Sequence, residues 1–397
     1  MNCQGLRNSG KRNDVLNYLK TKNVDILCLQ DTHLKASDQS IIEQNWDGEV
    51  LLHGVSTNSR GVAILIRNTL QYELLTSETD KNGNIIVLHI NCLGQRFLII
   101  NVYGPNTDSP TFFNDIKNYI DKYDHDYFTL CGDLNISLNP EMDTCNYVGL
   151  NNPKARESLH DLIQTCSLID LYRYFHPNTR RYTWRRKNPI KQARLDYFIG
   201  SQTLLDLVTQ VDIKPGYKTD HSLITLSLNL VNFSRGPGVW KFNTSLLKDQ
   251  EYIASVKQWI KDEKLKYAVP VYNLENIHNI PDDKLQMKID HDLFLEMLLM
   301  RIRGETIKYA SYKKKVSKEI ENNLISEIDS LEKNLGTDTY ESYLEKKSQL
   351  QIIREDTIKG HQIRSRVQWL NDREKPTKYF CSLEHRNYIE KTAKKIK

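Results

Sequence analysis

Tyr127-Phe128-Thr129-Leu130-Cys131-Gly132-Asp133-Leu134-Asn135 is the stretch on which the fold turns. Residues 127–131 read as a short buried strand by length and apolar, β-prone content, and a glycine, a carboxylate and an amide follow at once. A polar residue just past a strand is ordinarily a turn or a helix cap. The pattern recurs, however, and the recurrence carries the reading. Runs at 24–29, 62–66, 85–90, 97–102, 195–199 and 223–228 have the same strand character. Amphipathic stretches at 13–20, 112–123 and 157–166 fill gaps as helices, with Ser109-Pro110 suited to start the second. Asn82-Gly83 and Leu93-Gly94 mark turns between adjacent antiparallel strands. The pattern predicts mixed α/β sheets covered by helices, not a doubly wound parallel sheet.

The 397 residues exceed the size at which a single core usually stops growing, so two parts are expected. Periodicity breaks at Asn232-Phe233-Ser234-Arg235-Gly236-Pro237-Gly238, which sets a predicted boundary between residues 1–230 and 231–397. In the second part 246–261, 293–308 and 320–335 have helical spacing, and Ile320, Leu324, Ile328, Leu331 and Leu335 line one face. A turn at 336–338 leads to a partner helix through Tyr343, Leu344, Leu350 and Ile353, the pattern of an antiparallel helical hairpin. Residues 1–230 are close to electroneutral, so the net charge of +5 sits in this α-helical tail. No run approaches the roughly eighteen apolar residues of a membrane span. Met1 is soon followed by Arg7, Lys11 and Arg12 without an apolar stretch, and an intracellular chain is expected. None of the seven cysteines forms a Cys-x-x-Cys pair, so neither a zinc site nor a disulfide framework is indicated.

Polar residues gather where predicted strands end. Asn2 precedes a glycine turn, Asp31 follows 24–29, Tyr103 follows 97–102, Asp133 and Asn135 follow 127–131, and Asp220-His221 introduces the last strand. Loops at one sheet edge can converge on a single site. Asp31, Asp220 and the Asn2 amide offer hard oxygen ligands of the kind Mg²⁺ takes. His221 can bond a phosphoryl oxygen or take a proton, with Asp196 as the partner orienting its ring. Asp133 can activate water, while Asn135 and Tyr103 position and polarise a phosphate. These types suit hydrolysis of a phosphodiester. A basic run, Arg180, Arg181, Arg185, Arg186, Lys187, Lys191 and Arg194, is interleaved with Tyr182 and Trp184, as a solvated loop or a nucleic-acid contact would be.

Asn2-x-x-Gly5-Leu6, Leu29-Gln30-Asp31-Thr32, Asn101-Val102-Tyr103-Gly104-Pro105, Gly132-Asp133-Leu134-Asn135, Tyr182-Thr183-Trp184, Arg194-Leu195-Asp196-Tyr197 and Thr219-Asp220-His221-Ser222 occur in the order of the endonuclease/exonuclease/phosphatase superfamily. The chain to about residue 230 most resembles the apurinic-type endonuclease domain of non-LTR, LINE-like retrotransposon proteins. The resemblance implies a four-layered α/β sandwich of two mixed sheets. It implies metal ligation of Mg²⁺, with Mn²⁺ as the alternative, by Asn2, Asp31 and Asp220. It maps the remaining site positions onto Tyr103, Asp133, Asn135, Thr183, Asp196 and His221. It further implies a DNA endonuclease that nicks one strand of a duplex to leave a 3′-hydroxyl, with access to the nucleus. The segment 185–193 lies where the family has a hairpin near the DNA groove, so Arg185, Arg186, Lys187 and Arg194 are the expected phosphate contacts.

Trp240 to Leu247, Ile363 to Trp369 and Glu374 to Phe380 resemble the stretch joining endonuclease to reverse transcriptase in such proteins. The basic tail makes RNA a second candidate partner. No Tyr/Phe-Ala-Asp-Asp motif is present, so no polymerase activity is expected. Two departures stand out. The family's glutamate is Asp31 here, one methylene shorter, and the family's first strand normally extends several residues before the position of Asn2. Both favour a catalytically impaired nucleic-acid-binding fragment as an alternative. An apurinic-site repair nuclease is another, and a phosphatase acting on lipid or inositol phosphates leaves the tail unexplained.

Overall fold

A computed structural model describes residues 1–147, 152–230, 242–270, 285–333 and 335–364. The predicted boundary at 232–238 and the tail motifs from residue 365 onward lie outside the described residues. In chain order the strands are β1 (Ile26–Gln30), β2 (Gly48–His53), β3 (Val62–Arg67), β4 (Glu73–Thr79), β5 (Ile85–Cys92), β6 (Gln95–Tyr103), β7 (Tyr127–Asp133), β8 (Thr144–Cys145), β9 (Leu168–Asp170), β10 (Trp184–Arg186), β11 (Lys191–Ala193), β12 (Asp196–Ser201), β13 (Val208–Lys214), β14 (Leu223–Leu228), β15 (Ala268–Pro270) and β16 (Leu285–Met287). The helices are α1 (Ser9–Lys20), α2 (Gln39–Glu43), α3 (Thr111–Lys122), α4 (Pro140–Asp143), α5 (Pro153–Thr165), α6 (Leu171–Phe175), α7 (Gln250–Tyr267), α8 (His291–Lys333) and α9 (Thr337–Arg364).

Two sheets form the centre, one ordered β1-β3-β2 and the other β4-β5-β6-β7-β12-β9. The larger is mixed, since β6 and β7 run parallel while β7 and β12 run antiparallel. Strand alternation divides the side chains between layers. Val62, Ile64 and Ile66 join Ile86, Leu88 and Ile90 in the core between the sheets. Ala63 and Leu65 face the opposite way, toward α1 residues Val15, Leu16 and Leu19. Ile85 and Val87 likewise point to Phe113, Ile116 and Leu159 of α3 and α5. Strands buried on both faces read as unbroken apolar runs, which is why these were legible. The layers are helix, sheet, sheet, helix, the sandwich expected.

A polar tie crosses the core between the sheets. Asn101 Nδ2 donates to the carbonyls of Leu29 and Ala63, and its Oδ1 accepts from Gln30 Nε2 at 2.6 Å, all buried. Asn2 pairs in parallel fashion with Gln30, so residues 1–3 extend the β1 edge of the first sheet, and the Met1 ammonium donates to Cys28 O. On that edge of β1, Gln30 N and O and Cys28 O are therefore paired.

Among the described residues, those of 1–230 and 325–364 belong to one compact unit and those of 242–324 to another. The division at residue 230 is thus corrected in one respect: the far end of α8 and the whole of α9 join the first unit. There Ile358 enters the core with α1, while Leu350 and Tyr343 are buried. A second correction concerns 293–308 and 320–335, which are one helix, α8, of 43 residues. Residues 309–319 contain no glycine or proline to stop a helix. Their apolar spacing lapses because the surface there is polar, not because the helix ends. No helix among the described residues is long and apolar enough to cross a membrane.

Candidate active site

Strand register assembles the centre of the site. Tyr103 and Asp133 are partners at the ends of the parallel pair β6 and β7, and Asp196 at the start of β12 lies opposite Asp133. Three adjacent strands therefore present these side chains in one row, each about 4.8 Å from the next. Gly132 lets the row form: its φ is +132°, and a Cβ there would stand 2.0 Å from Val102 O. Asn135, at φ +53°, turns the chain back so that its Nδ2 donates to Gly104 O at 2.7 Å.

Around Asp133 every polar contact is specific. Its Oδ2 accepts from Asn2 Nδ2 at 2.9 Å and its Oδ1 from the Asn135 backbone N–H at 3.0 Å. His221 Nε2 stands 3.8 Å from Asp133 Oδ2, while His221 Nδ1 is 2.8 Å from Asp196 Oδ2. Thr183 lies behind this pair, its hydroxyl oxygen accepting from the backbone N–H groups of Leu195 and Asp196. Asp133, Asp196 and His221 are all buried, and their ligand atoms lie within 4.8 Å of one another. By distance these three could hold a divalent ion. Asp196 Oδ1 is buried without a hydrogen bond.

Burial shapes the charges. Desolvation and the neighbouring Asp196 push the Asp133 carboxyl up to about 7. Desolvation opposes charge on His221, but Asp196 and Asp133 outweigh it and raise the imidazolium to about 9. Burial, reinforced by Asp31 and Asp133, raises the Tyr103 phenol well above its ordinary value, so it remains an O–H donor.

The site opens into a cavity of about 310 Å³ lined by Asn2, Asp31, Tyr103, Asp133, Asn135, Asp220 and His221. The structure thus brings seven of the nine expected catalytic and metal positions to one surface, with Asp196 and Thr183 directly behind. Asp220 Oδ2 accepts from the indole N–H of Trp184 at 3.2 Å. Asp31, at φ +52°, has Oδ1 3.0 Å from His33 Nε2 and accepts there from Arg60 N. Oxygen-rich lining of this kind fits a hard divalent cation. Because the Nδ1 of His221 is hydrogen-bonded to Asp196, with Asp133 at ion-pair distance from Nε2, this set serves better as proton machinery than as a metal cage. Asp31, Asp220 and Asn2, the expected metal ligands, line the same cavity.

Two of the four expected DNA contacts need correction. Arg194 is 1% exposed, bonded to both oxygens of Asp143 and to Asp170 at 2.5–3.0 Å, and lies over the Tyr197 ring. Arg185 is 7% exposed, paired with Glu332 and donating to Ser222 Oγ and Tyr182 O. Both guanidiniums are neutralised inside the protein and have no face for a phosphate. Arg186 and Lys187 are exposed at the β10–β11 connection. Sequence reasoning missed His33, Trp184 and Arg156 as site residues. Arg156 and Trp184 line the same cavity, and Arg156 Nε donates to Ser137 O. Trp184 stood in a quoted motif and His33 lies two residues from Asp31, but nothing in the sequence marked Arg156.

A sequence model of the Endonuclease/Exonuclease/phosphatase family matches residues 1–221. The chain is 25% identical over 397 residues to the transposon TX1 uncharacterized 149 kDa protein of Xenopus laevis, an alignment covering 97% of this chain and 28% of that protein. It is 28% identical over 262 residues to an exodeoxyribonuclease of Bacillus subtilis (strain 168), covering 58% of this chain and 98% of the relative. An AP endonuclease of Leishmania major superposes with a TM-score of 0.49 at 20% identity, over 57% of this chain and 85% of that one.

Proposed function

The chain belongs to the endonuclease/exonuclease/phosphatase family, and from that premise we propose that it is a Mg²⁺-dependent DNA endonuclease that nicks one strand to leave a 3′-hydroxyl. The observation that carries the reading is the single buried constellation in which Asp133 sits between the Asn2 amide and the His221–Asp196 pair. The similarity to the transposon TX1 protein supports a role in retrotransposon target cleavage over one in DNA repair.

Asp133, poised near neutrality, takes a proton from a water molecule, and the hydroxyl oxygen attacks phosphorus. The new P–O bond forms as the P–O3′ bond breaks; the 3′ oxygen acquires a proton from solvent and the phosphate stays on the 5′ side. His221, held cationic by Asp196, donates to a non-bridging oxygen where negative charge develops. The Tyr103 phenol and the Asn135 amide add neutral donors beside it. A divalent cation on Asp31, Asp220 and Asn2 would supply positive charge to the phosphoryl oxygens. Asp196 and Thr183 fix the imidazole without touching substrate.

A second reading, a catalytically impaired nucleic-acid-binding protein, has one observation in its favour. One oxygen of the short Asp31 carboxylate is already engaged by His33 and the Arg60 amide. Supercoiled plasmid incubated with the protein and Mg²⁺ tests both. Conversion to open circles, abolished by Asp133→Asn, with nicks that a polymerase extends directly, supports the nuclease. Intact plasmid with wild type, and nicking restored by Asp31→Glu, supports impairment. Comparing an abasic duplex with an intact one separates the repair activity.

A further inference from the structure

The β13–β14 loop, residues 215–222, carries Asp220 and His221 and is held largely by groups outside its own strands. Thr219 Oγ1 donates to Asn2 O at 3.0 Å and accepts from His221 N at 3.2 Å, so one hydroxyl joins three positions of the site. Ser222 N donates to Thr183 O at 2.6 Å. Gly216 lies so close to the returning chain that a Cβ would meet His221 O at 1.9 Å. The carbonyls of Pro215, Gly216 and Thr219 turn to α9 instead.

Arg354 Nη1 donates to Pro215 O at 3.1 Å and to Gly216 O at 3.0 Å, and Lys347 Nζ donates to Thr219 O at 3.1 Å. Tyr343, Lys347, Leu350, Arg354 and Ile358 recur at three- and four-residue spacing, the stripe a helix buries. Two cations interrupt an otherwise apolar stripe, and both end on this loop. Arg354 also lies over the Tyr18 ring, which stacks on Tyr217 at 4.7 Å, so α1 and α9 grip the loop from two sides. Arg185 contributes from below, linking Glu332 of α8 to Ser222 Oγ.

Resting on the nuclease reading above, we infer that α9 is a working part of the site, with Lys347 and Arg354 as positioning residues that set the Asp220–His221 loop against Asn2 and Asp133. Thr219 O belongs to the peptide that begins Asp220, so releasing it frees both site residues at once. A helix that served only to cover the core would need apolar residues at 347 and 354, not donors aimed at carbonyls. Misplacement of reacting groups by about 1 Å costs on the order of 100-fold in rate.

The full chain is tested as Lys347→Met, which keeps the stem and removes the donor, and as Lys347→Arg, which restores one. Lys346→Met, which removes an ion pair to Glu327 of α8 and no contact to the loop, is the control. Lys347→Met is expected to lower kcat for plasmid nicking by about 10- to 100-fold with KM changed less than about twofold, and Lys347→Arg to recover most of it. Hydrogen exchange at the His221 and Ser222 amides should accelerate in Lys347→Met and not in Lys346→Met. If wild type does not nick, the nuclease reading fails by itself, and the exchange comparison still decides the positioning claim. Unchanged exchange at 219–222 overturns it, as does a loss of kcat that merely follows a lowered Tm and is not recovered by Lys347→Arg. Should Lys347→Met fail to fold, Arg354→Lys against Arg354→Met is read by the same exchange measurement, with the same outcomes.

Discussion

Replacing Asp196 by asparagine keeps the shape beside His221 and removes the charge that holds its ring cationic. In the wild type, His221 titrates at about 9 and Asp133 at about 7. The active form needs Asp133 deprotonated and His221 protonated, so kcat should rise through about pH 7, plateau near pH 8 and fall through about pH 9. His221 stands well above its ordinary value, a net preference for the charged ring. Asp196, at 2.8 Å, is the leading favourable partner. If its removal returns the ring to about 6.5, the cationic fraction at pH 7.5 drops from about 97% to about 9%, a tenfold loss from charge alone. At pH 6 the same comparison gives a loss of only about 1.3-fold. Asp133 also loses a like charge, so its acid limb moves below 7 and the optimum of Asp196→Asn shifts toward acid. Mg²⁺ lowers both values by its own charge, so the ratio of variant to wild type is taken at one Mg²⁺ concentration. Single-turnover nicking of supercoiled plasmid from pH 5.5 to 9.5 gives the two profiles. A uniform loss at every pH, with the alkaline limb still near 9, would refute the assignment of His221 as the charged group.

Arg194→Met strips a buried cation from Asp143 and Asp170 and should cost about 3–5 kcal/mol in urea unfolding, while the salt dependence of DNA binding stays as in wild type. The double change Arg186→Ala with Lys187→Ala should do the reverse: unaltered stability, and a slope of log K against log salt shallower by about 1.8 if each contacts one phosphate. An unchanged slope would remove this hairpin from the DNA interface. Asp31→Glu should tighten Mg²⁺ binding, read by titration calorimetry, because the added methylene lengthens the reach of the carboxylate into the cavity that Asp220 also lines; weaker binding would show that this chain's backbone is built for the shorter acid.

Much of the fold was legible because its central strands are buried on both faces. Val62 to Ile66 is an unbroken apolar run and Ile85 to Ile90 is broken only by the buried His89, a pattern that no surface element produces. Strands with one wet face were missed. Glu73–Thr79 is mostly exposed, and in Gly48–His53 buried and half-buried residues simply alternate. The basic cluster misled for a different reason. Arg186 and Arg194 are alike in sequence, but Asp143 and Asp170, which neutralise Arg194, are 51 and 24 residues away. Charge counted along a chain cannot register a partner brought in by the fold. His33 escaped notice because its role depends on backbone at φ +52° and +55° at Asp31 and His33, which folds two side chains together across one intervening residue.

The catalytic residues themselves were readable because hydrophobic burial fixes their alignment. Tyr197 and Ile199 of β12 are buried against the α3–α5 side, so Asp196, one residue from Tyr197, must face the other way. A slip of one residue in β12 would drive Tyr197 out of that core and turn Asp196 from its pairing with His221. Thr183 reinforces the register by accepting from both Leu195 N and Asp196 N, and its own carbonyl accepts from Ser222 N beside His221. The apolar alternation that makes the strands recognisable is therefore the same feature that aligns the acids. The loop carrying His221 has no such core residues to set it except Tyr217; it is tied to Asn2, Thr183 and Arg185 on one side and to α9 on the other. Strand-end chemistry is thus written in local sequence, whereas the placement of Asp220 and His221 depends on a helix more than a hundred residues later.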